Sequence, residues 1–164
     1  MTALLIAEMI RYYSGDPKRI QHFIKVHDFS RTIGLLEGLD EKSLFILETA
    51  AIVHDIGIKK CEKKYGSCEG KLQEKEGPAV AKKLLERLGY HTEIIERVCY
   101  LVGHHHTYTD IEGIDYQILV EADFLVNAYE DNLPRATIKG ICERIFRTES
   151  GNKLCTEMFK LKKI

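Results

Sequence analysis

Apolar positions recur at helical spacing along most of the chain, separated by short polar stretches. Runs of β-branched residues are few, and only three prolines interrupt the pattern. Such periodicity predicts an all-α protein, a compact bundle of about seven or eight helices. The predicted helices cover residues 2–13, the segment that follows Asp16-Pro17, 41–56, the segment that begins at Pro78, 92–106, 114–131, 134–147 and 151–162.

Helix ends are marked by a few residues whose chemistry suits them. Asp16-Pro17 and Asp40 are N-terminal signals, because an aspartate caps free N–H groups and a proline fits the first turn. Gly57 is predicted to stop the helix that contains residues 41–56. The lysine-rich stretch after it, as far as Gly70, has no helical stripe and is predicted to be a long loop.

Composition places the chain among globular proteins. It has 164 residues, of which 45% are hydrophobic and 30% are charged, so one domain covering residues 1–164 is expected. No apolar run approaches the roughly 18 residues that cross a bilayer, so no membrane association is expected. A formal net charge of −1 gives no reason to expect a nucleic-acid polymer as partner.

Five cysteines and an N-terminus without a signal-peptide pattern predict a cytoplasmic protein with reduced thiols. Cys99 and Cys142 lie in apolar periodic segments and are expected in the core. Apolar residues on the exposed side of the first helix would suit a homodimer.

Four residues of ligand type interrupt apolar helical stripes: His27, His54, Asp55 and Asp123. His22 instead reads as a surface residue. Burying imidazoles and carboxylates without partners would cost several kcal/mol, so they need hydrogen bonds or an ion. Taken alone, each of these residues also fits a purely structural role, such as a hydrogen-bonded histidine in the core or the end of a helix. Together, two imidazoles and two carboxylates suit a divalent ion such as Mn, Fe, Co, Ni, Zn or Mg.

The same residues resemble the H…HD…D pattern of the HD-domain superfamily of metal-dependent phosphohydrolases, in its small, single-domain HDIG type. The matching segments are KVHDFSRTI, AAIVHDIG and VEADFL, and the resemblance spans about residues 20–130. It implies that His27, His54, Asp55 and Asp123 are metal ligands. Asp55 would also position or deprotonate the attacking water.

Three further residues take roles from that resemblance. Arg31, one turn after His27, would neutralise substrate phosphate, although a rim ion pair is an equal alternative. Lys59 would replace the lysine of the usual HDIGK motif, where this chain has Ile58, unless it belongs to a solvated loop. His105 would contact the substrate or act as general acid.

The number of ions also follows from the resemblance. Members with two metals have an additional histidine, and no histidine occurs between His54 and His91. One ion is therefore favoured over two. The alternative is a second ion held by His105 or His106, with Glu74 or Glu76 in place of the missing histidine.

The predicted function is hydrolysis of a phosphate ester of a small molecule, a nucleotide or nucleotide-like compound, by a metal-bound water. Candidate activities are those of a nucleoside monophosphatase, a dinucleoside polyphosphate hydrolase, an alarmone hydrolase or a cyclic-nucleotide phosphodiesterase. Thr107-Tyr108-Thr109-Asp110 stands where phosphodiesterases of cyclic dinucleotides have a GYP motif, which argues against that class. The alternative is a non-catalytic regulatory module that binds metal and nucleotide.

Overall fold

The computed structural model describes residues 1–161, and all the regular structure in them is helical. The predicted all-α fold is confirmed, with nine helices within these residues. They are α1 (Thr2–Tyr12), α2 (Pro17–Leu36), α3 (Glu41–Val53), α4 (Ile58–Tyr65), α5 (Gly70–Arg87), α6 (Thr92–Val102), α7 (Ile114–Glu130), α8 (Arg135–Ile145) and α9 (Glu149–Met158). The predicted end of the last helix, at residue 162, lies outside the described residues.

Helix α3 is the centre of the bundle, with α1, α2, α6 and α7 packed around it. Its last eight residues, 46–53, are all buried, so α3 ends inside the core and not at the surface. Helix α2 lies between α3 and α7, while α5 packs on α6 and α4 packs on α5. The residues that follow Val53 therefore lie in the interior, between α2, α6 and α7.

The two predicted N-terminal caps are present. The Asp16 carboxylate accepts a hydrogen bond from the Arg19 N–H at 3.1 Å, with Pro17 in the first helical position. The Asp40 carboxylate accepts from the N–H groups of Lys42 and Ser43, each at 3.0 Å. These side chains satisfy N–H groups that have no partner inside their own helix.

Most of the segment predicted as a long loop is instead helical, because α4 covers Ile58–Tyr65 and α5 begins at Gly70. Glu76 explains why this lysine-rich stretch is ordered, because the nearby lysines Lys60 and Lys64 approach its carboxylate at 2.6 and 2.7 Å. The Tyr65 hydroxyl donates to the same carboxylate at 2.6 Å. These contacts hold α4 against α5. Pro78 consequently lies inside α5 rather than at its beginning.

The cysteine expectation needs one correction. Cys142 on α8 is buried, as predicted, and Cys99 is half-buried against the core. Cys142 is joined to Cys155 on α9 by a disulfide, so the expectation that all five thiols are reduced is wrong for this pair. The two residues are 13 positions apart in the sequence, one on each of the last two helices. No helix in residues 1–161 is long and apolar enough to span a membrane.

Gly57 has a different role from the predicted helix stop. Its φ of −68° is ordinary for any residue, so left-handed geometry is not what requires glycine. A Cβ at this position would lie 3.0 Å from the Gly77 backbone and 3.1 Å from the Gln73 carbonyl oxygen. The turn after α3 can therefore lie directly on the backbone of α5 only because residue 57 has no side chain.

Gly57→Ala is expected to destabilise the protein by about 1–3 kcal/mol, because the added methyl group meets rigid backbone. Gly140→Ala is the matched control, since a Cβ there meets nothing within 4 Å. Its helical position on α8 should gain about 0.5–1 kcal/mol. Urea unfolding of both variants measures the difference, and a Gly57→Ala protein as stable as wild type would contradict the close-packing role.

Candidate metal centre

Two groups of ligand-type side chains lie next to each other where α2, α6, α7 and the turn after α3 meet. The first contains His22, His54 and Asp123, all buried. The second contains Asp55, His105 and His106. Asp55 connects them, because its Oδ2 lies 3.5 Å from the Nε2 atoms of His22 and His54, and its Oδ1 lies 3.5 Å from His105 Nε2.

The atoms of the first group are spaced like neighbouring ligands of one ion. His22 Nε2 lies 3.2 Å from both His54 Nε2 and Asp123 Oδ1, and His54 Nε2 lies 3.5 Å from Asp123 Oδ1. Metal bonds of about 2.1 Å at right angles would put adjacent ligand atoms about 3 Å apart. The separations therefore leave room for an ion in the middle.

In three of the four imidazoles, those of His22, His54 and His105, the other ring nitrogen is already bound, which fixes how these rings face the centre. His22 Nδ1 bonds the Glu130 carboxylate at 3.0 Å. The Nδ1 atoms of His54 and His105 bond the carbonyls of Ala51 and Val102, each at 2.8 Å. With its proton on Nδ1, a neutral imidazole points the Nε2 lone pair at the centre, as in metal ligands supported by an outer carboxylate or carbonyl.

Several polar atoms at the centre are buried and have no properly oriented hydrogen-bond partner among residues 1–161. They are Asp123 Oδ1, His105 Nε2 and His106 Nε2. Because buried polar atoms are nearly always satisfied, three in one place indicate a missing partner. All three are electron-pair donors, so a cation fits them, and the residues present could hold a divalent metal ion.

Glu121 on the same helix shows what a buried acid looks like when the protein itself satisfies it. Its carboxylate accepts bonds from the N–H groups of Arg147 and Thr148, from the Thr148 hydroxyl and from the Gln117 amide. Glu121 thus ties α7 to the segment between α8 and α9. Asp123, two residues later, faces the histidines instead, so the two acids of one apolar run have separate tasks.

The electrostatics of the centre favour positive charge. Burial opposes protonation of His54, but the charges of Asp55 and Asp123 outweigh it and raise the pKa of His54 to about 9. Burial likewise opposes protonation of His22, and the nearby Asp123 carboxylate helps to raise its pKa. Burial would raise the pKa values of Asp55 and Asp123, yet the neighbouring histidines hold both below the usual range.

His106 behaves differently from the other histidines. Burial and the neighbouring His105 together lower the pKa of His106 to about 4. Its ring is therefore neutral at physiological pH, the form in which imidazole binds a metal. Glu74 holds this segment, accepting bonds from the His106 N–H at 3.1 Å and the Thr107 hydroxyl at 2.8 Å.

His27, predicted as a ligand, lies away from the centre. Its Nε2 bonds the Glu48 carboxylate on α3 at 3.0 Å. His22, predicted to be at the surface, is 7% exposed and occupies the position expected for His27. Five residues correspond to about 140° around a helix, so the two side chains cannot face the same ion. The structure thus groups His22 and not His27 with His54 and Asp123, and the surface position predicted for His22 is wrong.

Two other predicted residues also lie elsewhere. The Arg31 guanidinium joins His27 at Glu48, at 3.1 Å, which matches the alternative of an ion pair. Lys59 Nζ reaches the Tyr12 carbonyl and lies over the Tyr12 and Tyr13 rings. Neither is at the centre, because Arg31 is held by Glu48 on α3 and Lys59 by the two tyrosines at the end of α1.

The remaining predicted residues do meet. His54, Asp55, Asp123 and His105 lie together, as expected from the sequence. Glu74 supports the His106 segment, whereas Glu76 is held by the lysines of α4. Glu130 was not singled out from the sequence, and His106 was named only in the alternative with a second ion. One face of α2 is buried and contains His22, Val26, Ser30 and Ile33. The helical spacing of these four residues is the sequence signal that could have identified His22 as a buried residue.

This all-α architecture with a buried histidine and aspartate centre belongs to a known class. The chain is a member of the HD domain family, whose model matches residues 19–146. HD domains bind divalent metals, and the residues described above could do so here. The resemblance predicted from the sequence is thus confirmed at the level of the family.

A solved structure shares the fold. It is the crystal structure of a protein described as a predicted HD superfamily hydrolase, from an uncultured Thermotogales bacterium. The two chains are 22% identical with a TM-score of 0.63, and the similarity covers 97% of this chain and 83% of the other. No curated protein matches the chain.

The pKa of His54 predicts how stability depends on pH. A folded-state pKa of about 9, above the unfolded value of about 6.5, gives stability that is full below pH 6.5 and is lost as the pH rises through 9. The lowered pKa values of Asp55 and Asp123 give stability that is lost only in acid. The melting temperature of chelator-treated protein should therefore fall between pH 6.5 and 9.

The stabilisation caused by saturating Mn²⁺ should depend on pH in the opposite direction. Metal ligands must be deprotonated, so binding displaces protons and strengthens as the pH rises. The increase in melting temperature caused by Mn²⁺ should be larger at pH 8.5 than at pH 6.5. Thermal unfolding at both values, with and without the ion, measures it. An increase that is the same at both pH values would contradict proton displacement from the centre.

Proposed function

We propose that this protein is a metal-dependent hydrolase that cleaves a phosphate ester of a small, nucleotide-like molecule. The observation that carries the proposal is the set of buried electron-pair donor atoms of Asp123, His105 and His106 that have no partner among residues 1–161, beside the joined His22, His54 and Asp55. A site built only for stability would satisfy these atoms within the protein, as Glu121 is satisfied.

Two metal positions agree best with this geometry. His22, His54, Asp123 and one oxygen of Asp55 would hold the first ion. His105, His106 and the other oxygen of Asp55 would hold the second. This differs from the single ion favoured by the missing histidine, because His106 supplies the additional nitrogen. Bound ions would polarise a phosphoryl oxygen and acidify water.

The chain's own residues would then orient the reaction. The side chain of Asp55 is 19% exposed, whereas those of His54 and His105 have no exposed surface. Asp55 therefore lies where the centre opens to solvent, and it would orient the attacking water beside the ligand set. The buried histidines, each fixed through Nδ1, would keep the ligand set rigid.

Lys25 would take the phosphate-facing role predicted for Arg31. It lies three residues after His22, and its Nζ contacts Glu130 at 2.6 Å, on the same carboxylate that bonds His22. Lys71 is placed similarly on the other side, bound to Glu74 at 2.7 Å and to Thr107 at 2.6 Å. A cation on each side suits a substrate phosphate.

Two exposed tyrosines adjoin the residues of the centre and support a substrate with a planar group. Tyr108 follows His106-Thr107 and is 48% exposed, and Tyr129 precedes Glu130 and is 67% exposed. Aromatic faces that water can reach are suited to stacking on a nucleobase. A nucleotide-like phosphate is therefore the substrate class that we propose.

The test is a panel of nucleoside monophosphates, sugar phosphates, dinucleoside polyphosphates and cyclic nucleotides, assayed with Mn²⁺, Fe²⁺, Co²⁺, Ni²⁺, Zn²⁺ and Mg²⁺. Wild type should cleave at least one nucleotide-like ester. His22→Ala should lose metal and lower kcat/KM at least about 100-fold, equivalent to about 2.7 kcal/mol. His27→Ala, on the same helix but bound to Glu48, should stay within about threefold of wild type.

If His27→Ala lost metal and activity while His22→Ala kept both, the proposed metal site would be wrong. A wild type that purifies with metal but cleaves no ester with any ion would replace the proposed activity with the regulatory, metal- and nucleotide-binding module. Asp55→Ala separates the two outcomes further, since it should abolish hydrolysis while leaving three nitrogen and oxygen ligands of the first position in place.

A further inference from the structure

The end of α1 is attached to the turn that carries the histidine and aspartate doublet. The Tyr13 hydroxyl donates a hydrogen bond to the carbonyl oxygen of Asp55 at 2.7 Å. The adjacent Tyr12 hydroxyl donates to the carbonyl oxygen of Ile56 at 3.0 Å. Two consecutive tyrosines thus bind two consecutive carbonyls, more than 40 positions away in sequence.

The side chains of the two tyrosines are held in place by their surroundings. Tyr13 is only 1% exposed and its ring meets that of Tyr12 edge-on, with centroids 5.0 Å apart. The Lys59 ammonium lies 5.2 and 5.4 Å from the two ring centroids and also bonds the Tyr12 carbonyl. We name Tyr12, Tyr13 and Lys59 the tyrosine clamp. Its two tyrosines lie before residue 19, where the match to the family model begins.

Asp55 is the residue of the centre for which such a clamp matters. His22 and Asp123 are placed by regular helices, and the ring of His54 is fixed by its bond to the Ala51 carbonyl. Asp55 belongs to the turn between α3 and α4, and its two oxygens face different histidines. A small rotation of its peptide would move both oxygens away from their groups.

We propose that Tyr13 is a positioning residue for the metal centre, holding the Asp55 peptide so that the carboxylate faces both ligand groups. The Asp55 carbonyl also accepts the Ile58 N–H at 3.0 Å, so it has two anchors, one local and one from α1. The proposal rests on the proposed function, because it requires a metal at the centre. It makes α1 part of the site although α1 supplies no ligand.

Tyr13→Phe tests the proposal, since it keeps the buried ring and removes only the hydroxyl. Tyr90→Phe is the matched control: Tyr90 is also buried, stacks on Phe45 at 5.7 Å, and its hydroxyl has no partner among the described residues. The measurements are Mn²⁺ affinity by titration of chelator-treated protein, the absorption spectrum of the Co²⁺ form, and the melting temperature without metal.

Tyr13→Phe should weaken Mn²⁺ binding about tenfold, the lower end of what loss of a supporting partner costs, and should alter the Co²⁺ spectrum. Tyr90→Phe should leave both unchanged. A Tyr13→Phe protein that binds Mn²⁺ like the control overturns the positioning role, whatever its melting temperature. If wild type itself binds no divalent ion, the proposed function fails as well, so the two failures are distinguishable.

Discussion

The structure depends on the close approach of negative charge and nitrogen lone pairs in a largely buried centre. Asp55 and Asp123 lie against the Nε2 atoms of His22 and His54 at 3.2–3.5 Å. With the Nδ1 protons committed elsewhere, nothing in residues 1–161 neutralises this set except a proton or a cation. Uncompensated, such burial would cost several kcal/mol, so the positive charge is part of the folded state.

The helices around the centre can be understood from that requirement. α3 is apolar on nearly every side, and it brings the doublet into the core before the chain turns. Gly57 lets this turn lie on the backbone of α5, while Tyr13 of α1 binds it from another direction. His22 comes from the first half of α2 and Asp123 from the middle of α7, where helix geometry is regular. The parts of the centre that need precision are therefore held by several elements at once.

Much of this could be predicted from the sequence because the signals were local. The caps at Asp16 and Asp40 depend only on neighbouring N–H groups. The polar residues at 54–55 and 123 can be recognised because the residues around them in the sequence are apolar. The choice between His22 and His27 could not be made from neighbouring residues, because it depends on which helices pack against α2. α2 is buried by α3 on one side and α7 on the other, so two apolar stripes exist and each contains a histidine.

The same reason explains the other corrections. Lys59 and Arg31 were expected near a phosphate because they are cations close in sequence to the predicted ligands. Their positions are decided instead by Glu48 and by the tyrosines of α1, which are distant in sequence. The helix α4 likewise depends on Glu76, twelve residues beyond Lys64, to compensate its lysines.

The most direct test of the central claim is anomalous diffraction from a crystal of the protein soaked in Mn²⁺. A peak should appear within about 2.0–2.3 Å of His22 Nε2, His54 Nε2 and an oxygen of Asp123. A peak between His27 and Glu48, or no peak near His22 at saturating Mn²⁺, would contradict it.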